Sequence, residues 1–245
     1  MKGVVAAGHP LTAEAGAEVL RDGGNAVDAA AAAVLASFAV ESPLTGFGAG
    51  GFMMISRGEE TVLIDFFVAA PGKDGVERGV ELAPVPVHFD EETVQTFYVG
   101  PASCGVPGTA VGLELALQRF GTVPLADLIA AGVKLARDGA PINAEQAYIL
   151  EILWPIHKRL AETRALYAPQ GRPLGEGDVF RFPELADALE RFGAEGAEPF
   201  YSGEVAAALT GFVAEHGGTL GATDLAEYEA IERQPIRPRS AAPRC

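Results

Sequence analysis

Four histidines, His9, His88, His157 and His216, are the side chains best suited to moving protons near neutral pH. None stands at metal-ligand spacing from another histidine or from a cysteine, so no metal site is expected. His9, which precedes a proline and a helix start, could line a site or serve the structure. Cys104, within Ser103-Cys104-Gly105, could be a nucleophile, but without a CxxC or cysteine–histidine cluster it reads as a small buried apolar group. Cys245 is the last residue, and two cysteines cannot build a disulfide framework. Asp65 lies inside an apolar run, where a carboxylate must be hydrogen-bonded or paired. Glu91-Glu92 reads as a solvated pair, and no serine sits in a Gly-x-Ser-x-Gly elbow. Gly46-x-Gly48-x-x-Gly51 matches the letters of a dinucleotide fingerprint. That fingerprint needs a strand before the glycines and a helix after them. Here a helix precedes and a strand follows, so a tight backbone passage beside a core or site is the expectation. These residues alone define an α+β protein without an identifiable nucleophile, and no cofactor is implied.

The positioning elements follow from apolar periodicity and from glycine and proline punctuation. Val4–Ala7 reads as a short strand. Pro10 and Thr12 open a helix with Leu11, Ala15, Val19 and Leu20 on one stripe, ended by Gly23-Gly24. Asn25 is the expected N-cap of the next helix, Ala26 to about Glu41, with the Asp28 carboxylate facing its positive end. That helix is apolar on nearly every side and must be buried on every side. After Pro43 and the glycines, Phe52–Ser56 and Thr61–Val68 read as a hairpin around Arg57–Glu60. Residues 69–92 read as a long loop and Val94–Val99 as a third strand. The remainder is mainly helical: Thr109–Phe120, one helix from Pro124 to Gly139, 144–165 with a kink or break at Pro155, Glu184–Phe192 closed by Gly193, and Glu204–Glu215. Asp224 is expected to cap a last helix, with Glu227 completing a capping box. No internal repeat is visible.

The 245 residues are 49% hydrophobic and 21% charged, enough apolar material for a large core. Eighteen basic and 33 acidic residues give a net charge of −15, a surface that repels phosphate backbones and makes nucleic acid an unfavourable partner. The most apolar stretch, Ala26–Val40, is too short for a bilayer span of ~20 residues, so no membrane partner is expected. Met1-Lys2-Gly3-Val4 carries no apolar run behind a basic head, so a cytoplasmic protein without a signal peptide is expected.

Ordered segments also resemble a known family. Gly8-His9-Pro10-Leu11 and Gly23-Gly24-Asn25-Ala26-Val27-Asp28-Ala29-Ala30 are similar to the opening of γ-glutamyltransferases (γ-glutamyltranspeptidases, glutathione hydrolases). Gly48-Ala49-Gly50-Gly51-Phe52-Met53 resembles their glycine-rich turn, and Ile64-Asp65-Phe66 with Ala70-Pro71 the strand end behind it. Gly105-Val106-Pro107-Gly108-Thr109, Leu135-Ala136-Arg137-Asp138-Gly139, Pro199-Phe200-Tyr201-Ser202-Gly203, Gly217-Gly218, Asp224-Leu225-Ala226, Tyr228 and Pro235-Ile236 continue the likeness. The resemblance implies residues 1–236 as the front part of the family's large subunit, with 237–245 as an unstructured tail outside the pattern. It implies an N-terminal nucleophile hydrolase, a four-layer αββα sandwich of which this is an incomplete portion: a β-hairpin region followed by a mainly helical one. In that family a precursor cuts itself, and a threonine at the new N-terminus attacks the γ-glutamyl amide, its own α-amine taking the hydroxyl proton.

Two departures shape the expected function. No two threonines are adjacent, so the family's threonine-rich cleavage motif is absent and no catalytic residue is assigned in this chain. The chain by itself is expected to be inactive, completed by a small-subunit segment that would cover the faces of Ala26–Val40 and Gly51–Ile55. In addition, Phe67 stands where typical members carry the arginine that holds the substrate α-carboxylate. It is the one candidate substrate-binding residue, as the lining of an altered acyl pocket, with Lys73 or Arg78 as possible replacements for the arginine. The implied small molecule is a γ-glutamyl compound of the glutathione type. The alternatives are another acyl amide, as for a related amidohydrolase or acylase, or a non-catalytic binding module.

Overall fold

A computed structural model describes residues 3–75 and 82–236. Val4–Ala7 forms no strand: Val4 is almost fully open to solvent and the segment lies along the first helix, and among the described residues no strand pairs with it. Helix α1 (Pro10–Arg21) opens at Pro10 as expected, and the His9 ring caps it. Thr12, Ala15 and Gly16, instead of the larger Leu11, Val19 and Leu20, make its buried stripe. Small side chains there let α1 lie close against α2 (Ala26–Val40).

Helix α2 is the centre of the molecule. Twelve of its 15 residues are buried, as its all-round apolar character requires. Asn25 and Asp28 form a reciprocal capping box at its start.

Strands β1 (Gly51–Arg57) and β2 (Glu60–Phe66) form the expected antiparallel hairpin, Gly51 opposite Phe66 and Arg57 opposite Glu60. The loop assigned to 69–92 contains an unforeseen strand, β3 (Ala83–His88), paired with β4 (Val94–Val99). Its Pro84 and Pro86 concealed it. A two-stranded ribbon leaves one side of β3 without a partner, which proline tolerates, and Val85 and Val87 alternate inward.

Helix α3 (Thr109–Phe120) ends before Gly121 as expected. The segment after Pro124 is two helices, α4 (Leu125–Leu128) and α5 (Ala130–Asp138), broken at Ile129. The two-residue strand β5 (Ala140–Pro141) then leads into α6 (Ala144–His157) and α7 (Ala161–Tyr167). Pro155 sits in the last turn of α6, where the missing N–H lets the helix end at His157. β6 (Val179–Phe180) pairs with β5. Helix α8 (Pro183–Glu195) runs through Gly193 and stops at Gly196, whose φ is +72°. Next come α9 (Glu198–Tyr201) and α10 (Glu204–Glu215). In α11 (Ala222–Ala226), Asp224 lies inside the first turn, not at the cap, and accepts from the Gly221 N–H at 2.9 Å.

β7 (Ile231–Arg233), which lacks a strong strand pattern, joins β2 antiparallel and completes a β1-β2-β7 sheet. One face of this sheet (Met53, Ile55, Val62, Ile64, Phe66) packs on α3 around Ala116. The opposite face carries Phe52, Met54 and Ile231 at 58, 63 and 49% exposure. Only half of the expectation of two uncovered faces therefore survives. The described helices themselves enclose α2, and the outer face of β1 is open. The helices and strands together make an α+β fold, and no described helix is long and apolar enough to cross a membrane.

Candidate functional site

At the end of β2 the chain turns out of the sheet through Phe67 and runs beside α11 and β7. These segments enclose a cleft of about 500 Å³ that opens onto the exposed sheet face. The Phe67 ring stands 55% exposed at its mouth and stacks on Phe52, with centroids 5.4 Å apart and planes 11° from parallel. Asp65 lies next to it. Its carboxylate accepts the Phe67 N–H at 3.1 Å and the Arg233 guanidinium at 2.6 Å, and those two donors hold its pKa below the ordinary aspartate value. Asp65 is therefore paired, as a carboxylate in an apolar strand must be. Its partner lies 168 residues away and had no sequence signal.

The far wall is set by Asp224 and Tyr228. The buried Asp224 carboxylate accepts the backbone N–H groups of Gly72, Lys73 and Gly221. Burial opposes its ionisation, but these N–H donors and the nearby Lys73 charge outweigh it, so the pKa falls. Tyr228 Oη donates to the Phe67 carbonyl at 2.8 Å, and burial together with the Asp65 charge pushes its pKa up to about 12. Lys73 Nζ lines the same cleft and pairs with Glu227 at 3.1 Å. Arg78 lies outside the described residues.

The glycine-rich turn sits behind this wall. It is not tight at Gly46 or Gly48, around which a side chain would find open space. The close approach is at Gly50, where a Cβ would come within 2.6 Å of the Val68 N–H nitrogen. A second is at Gly108, where it would run into the Phe66 carbonyl and the Tyr228 hydroxyl. The Ala49 carbonyl accepts from Gly108 and Thr109, supplying the start of α3 with an acceptor that no side chain provides. The glycines thus weld β2, the turn and α3 together.

The other sequence candidates lie elsewhere. His9 is buried as the cap of α1, its Nδ1 accepting the Leu11 N–H at 3.1 Å. His88 is exposed on β3, and His216 ends α10 with its ring stacked on Phe212. His157 lies at the end of α6. Cys104 is half-buried, with burial pushing its thiol pKa up, and Glu91 and Glu92 are exposed. Cys245 falls outside the described residues. Asp28, read from sequence only as a helix-end charge, is fully buried and also accepts from Thr122 N–H, Thr122 Oγ1 and Val123 N–H. It ties α2 to the end of α3. Among the described residues no group of three or more potential metal ligands comes together.

A sequence model of the gamma-glutamyltranspeptidase family matches residues 12–241. The chain belongs to the gamma-glutamyltranspeptidase family. The glutathione hydrolase proenzyme of Bacillus subtilis is 36% identical over 238 residues, covering 96% of this chain and 39% of that protein. The solved gamma-glutamyltranspeptidase of Helicobacter pylori superposes with a TM-score of 0.84 at 32% identity, over 96% of this chain and 67% of that one. The acylase ACY 1 proenzyme of a Pseudomonas species (strain SE83) is 34% identical, with 96% of this chain covering 42% of its length. The chain thus spans about two fifths of the curated relatives it matches, as a partial N-terminal segment of the family's N-terminal nucleophile hydrolase fold.

Proposed function

We propose that this chain forms one wall of an acyl-transfer site that acts on γ-glutamyl amides, and that the attacking threonine comes from polypeptide following the matched segment in the relatives. The supporting observation is the composition of the cleft. No serine, threonine or cysteine is among the described residues that line it. The Tyr228 hydroxyl is committed to the Phe67 carbonyl, and with a pKa near 12 it is overwhelmingly protonated at neutral pH. The cleft can cradle an acyl group but cannot attack it, and it opens directly onto an uncovered apolar sheet face suited to a second layer of polypeptide. The 245-residue chain should therefore give no turnover of a chromogenic γ-glutamyl anilide. Fused to the part of the Bacillus subtilis relative that follows the matched region, it should gain turnover. Steady hydrolysis by the chain alone would overturn this reading.

A second reading, an acylase that prefers another acyl amide, is favoured by Phe67 and the charges around it. A phenyl ring cannot neutralise a carboxylate, and both described cations of the cleft are occupied, Arg233 by Asp65 and Lys73 by Glu227. A planar guanidinium holds a carboxylate through two parallel hydrogen bonds. In the fused enzyme, Phe67→Arg should raise kcat/KM for the γ-glutamyl anilide by about tenfold or more, equivalent to ~1.4 kcal/mol of binding, relative to an uncharged acyl anilide. An unchanged ratio would count against Phe67 as an acyl-pocket residue.

A further inference from the structure

Strands β3 and β4 form a ribbon with two unlike edges. Pro84 and Pro86 carry no N–H, so they occupy the positions of β3 that exchange no hydrogen bonds with β4, opposite Tyr98 and Thr96. The bond from the Phe89 N–H to the Thr93 carbonyl keeps the same alternation next to the turn. Ala83, Val85 and Val87 therefore bond to Val99, Phe97 and Gln95, and the N–H and C=O groups of Val94, Thr96 and Tyr98 point away from β3. Among the described residues no strand or loop takes up these outward groups. All three residues are exposed, Val94 by 49% and Tyr98 by 62%. The far edge of β3 is closed instead, because prolines fill two of its three outward N–H positions. Proteins blunt free edges with proline, charge or bulges. The β4 sequence, Val94-Gln95-Thr96-Phe97-Tyr98-Val99, contains neither proline nor charge.

We propose that β4 pairs with β4 of a second copy of this chain, antiparallel about Thr96, to give a dimer built on a four-stranded sheet. The strand is complementary to itself in this register. Thr96 meets the partner subunit's Thr96, and Val94 meets the partner subunit's Tyr98, so each of these pairs exchanges two backbone hydrogen bonds. On the exposed face the side chains form a Thr–Thr pair flanked by aromatic–β-branched pairs, both favourable across strands. The acidic turn Asp90-Glu91-Glu92 falls beyond the paired segment, opposite Gly100 and Pro101 of the other copy, so like charges do not face each other. A twofold axis uses the same edge on both copies. The two β3 strands then become the outer edges of the sheet, and their prolines stop its growth at two chains. An unrelated strand could reach the same hydrogen bonds; the match of Val94 to Tyr98 and of Thr96 to itself favours a second copy.

The test uses the 245-residue chain with Phe52→Ser and Met54→Thr, so that the open face of β1 does not contribute. Sedimentation equilibrium should show a monomer–dimer equilibrium with no larger species. Amide exchange read by NMR should slow by about tenfold or more at Val94, Thr96 and Tyr98 as the chain is concentrated from monomer to dimer. It should stay constant at Gln95, Phe97 and Val99, whose N–H groups already bond to β3. Thr96→Pro removes the central outward N–H and spares the bonds to β3, and it should weaken the dimer by about tenfold or more with circular dichroism unchanged. Thr96→Lys, which sets two like charges face to face on the axis, should do the same, whereas Thr96→Val should keep the dimer. A monomer at every concentration, or unchanged dimer affinity in both the Pro and Lys variants, would overturn the proposal. So would protection of Val94, Thr96 and Tyr98 that does not vary with concentration, which would mean that another segment of the chain takes the edge. Such a failure leaves the acyl-site reading untouched, because no residue of β4 lines that cleft.

Discussion

Helix α2 and strand β1 are both strongly apolar, yet one is enclosed and the other half bare. α2 is surrounded by α1, α3, α4, α5 and α8, all from the chain that follows or precedes it within 170 residues. β1 receives α3 on one face, while Phe52 and Met54 on the other face meet solvent. The difference shows that apolar content tells how much surface must be covered but not by which polypeptide. A helix bundle can be closed by local neighbours, whereas a sheet exposes two faces and needs two layers.

If that contrast is right, the largest losses of stability come from the α2 core. Asp28→Asn removes the charge that holds four donors at Asn25, Thr122 and Val123. It should cost about 3 kcal/mol, because hydrogen bonds to a buried charge are worth roughly 1.5–3 kcal/mol each and are only partly replaced. Chemical denaturation would read this as a lower midpoint. Leu35→Ala, at a fully buried position, should cost a similar ~2–5 kcal/mol through lost contacts and a residual cavity.

The acid limb of the stability curve sharpens the same point. Burial opposes ionisation of Asp28, yet its hydrogen bonds prevail and depress its folded pKa below the unfolded value of about 3.9. Its contribution is then complete above roughly pH 4–5 and disappears as the pH falls through the lower folded value. Asp28→Asn should flatten that limb, and an acid titration followed by circular dichroism would show it.

The smallest stability effect belongs to the open face. Phe52→Ser with Met54→Thr should shift stability by no more than about 0.5–1 kcal/mol, since both side chains are already largely hydrated. The bare apolar face is expected to drive self-association of the chain, and the same pair should weaken it in sedimentation velocity. A destabilisation as large as that of Leu35→Ala would mean the outer face is already packed, and the contrast would fail.

Much of this was legible in the residues. Asn25 and Asp28 mark the start of α2, two apolar runs around Arg57–Glu60 mark the β1-β2 hairpin, and the ordered segments from Gly8 to Ile236 carry the family likeness, because caps, turns and short motifs are local. β3 was hidden by its two prolines, and β7 by its shortness. The site was the least legible part. Arg233 reaches Asp65, and Asp224 reaches Gly72 and Lys73, across about 150 residues or more, with no spacing rule to announce them.

The amino-acid sequence alone determined the family, the α+β class and the need to bury α2 on all sides, since these depend on side-chain type and short-range order along the chain. Tertiary structure decided which face stays bare, which carboxylates are shared between distant segments, and that Phe67 fronts a cleft between β2, α11 and β7. Those outcomes depend on where β2, α11 and β7 come to rest after folding, and distances through space are not written as distances along the chain.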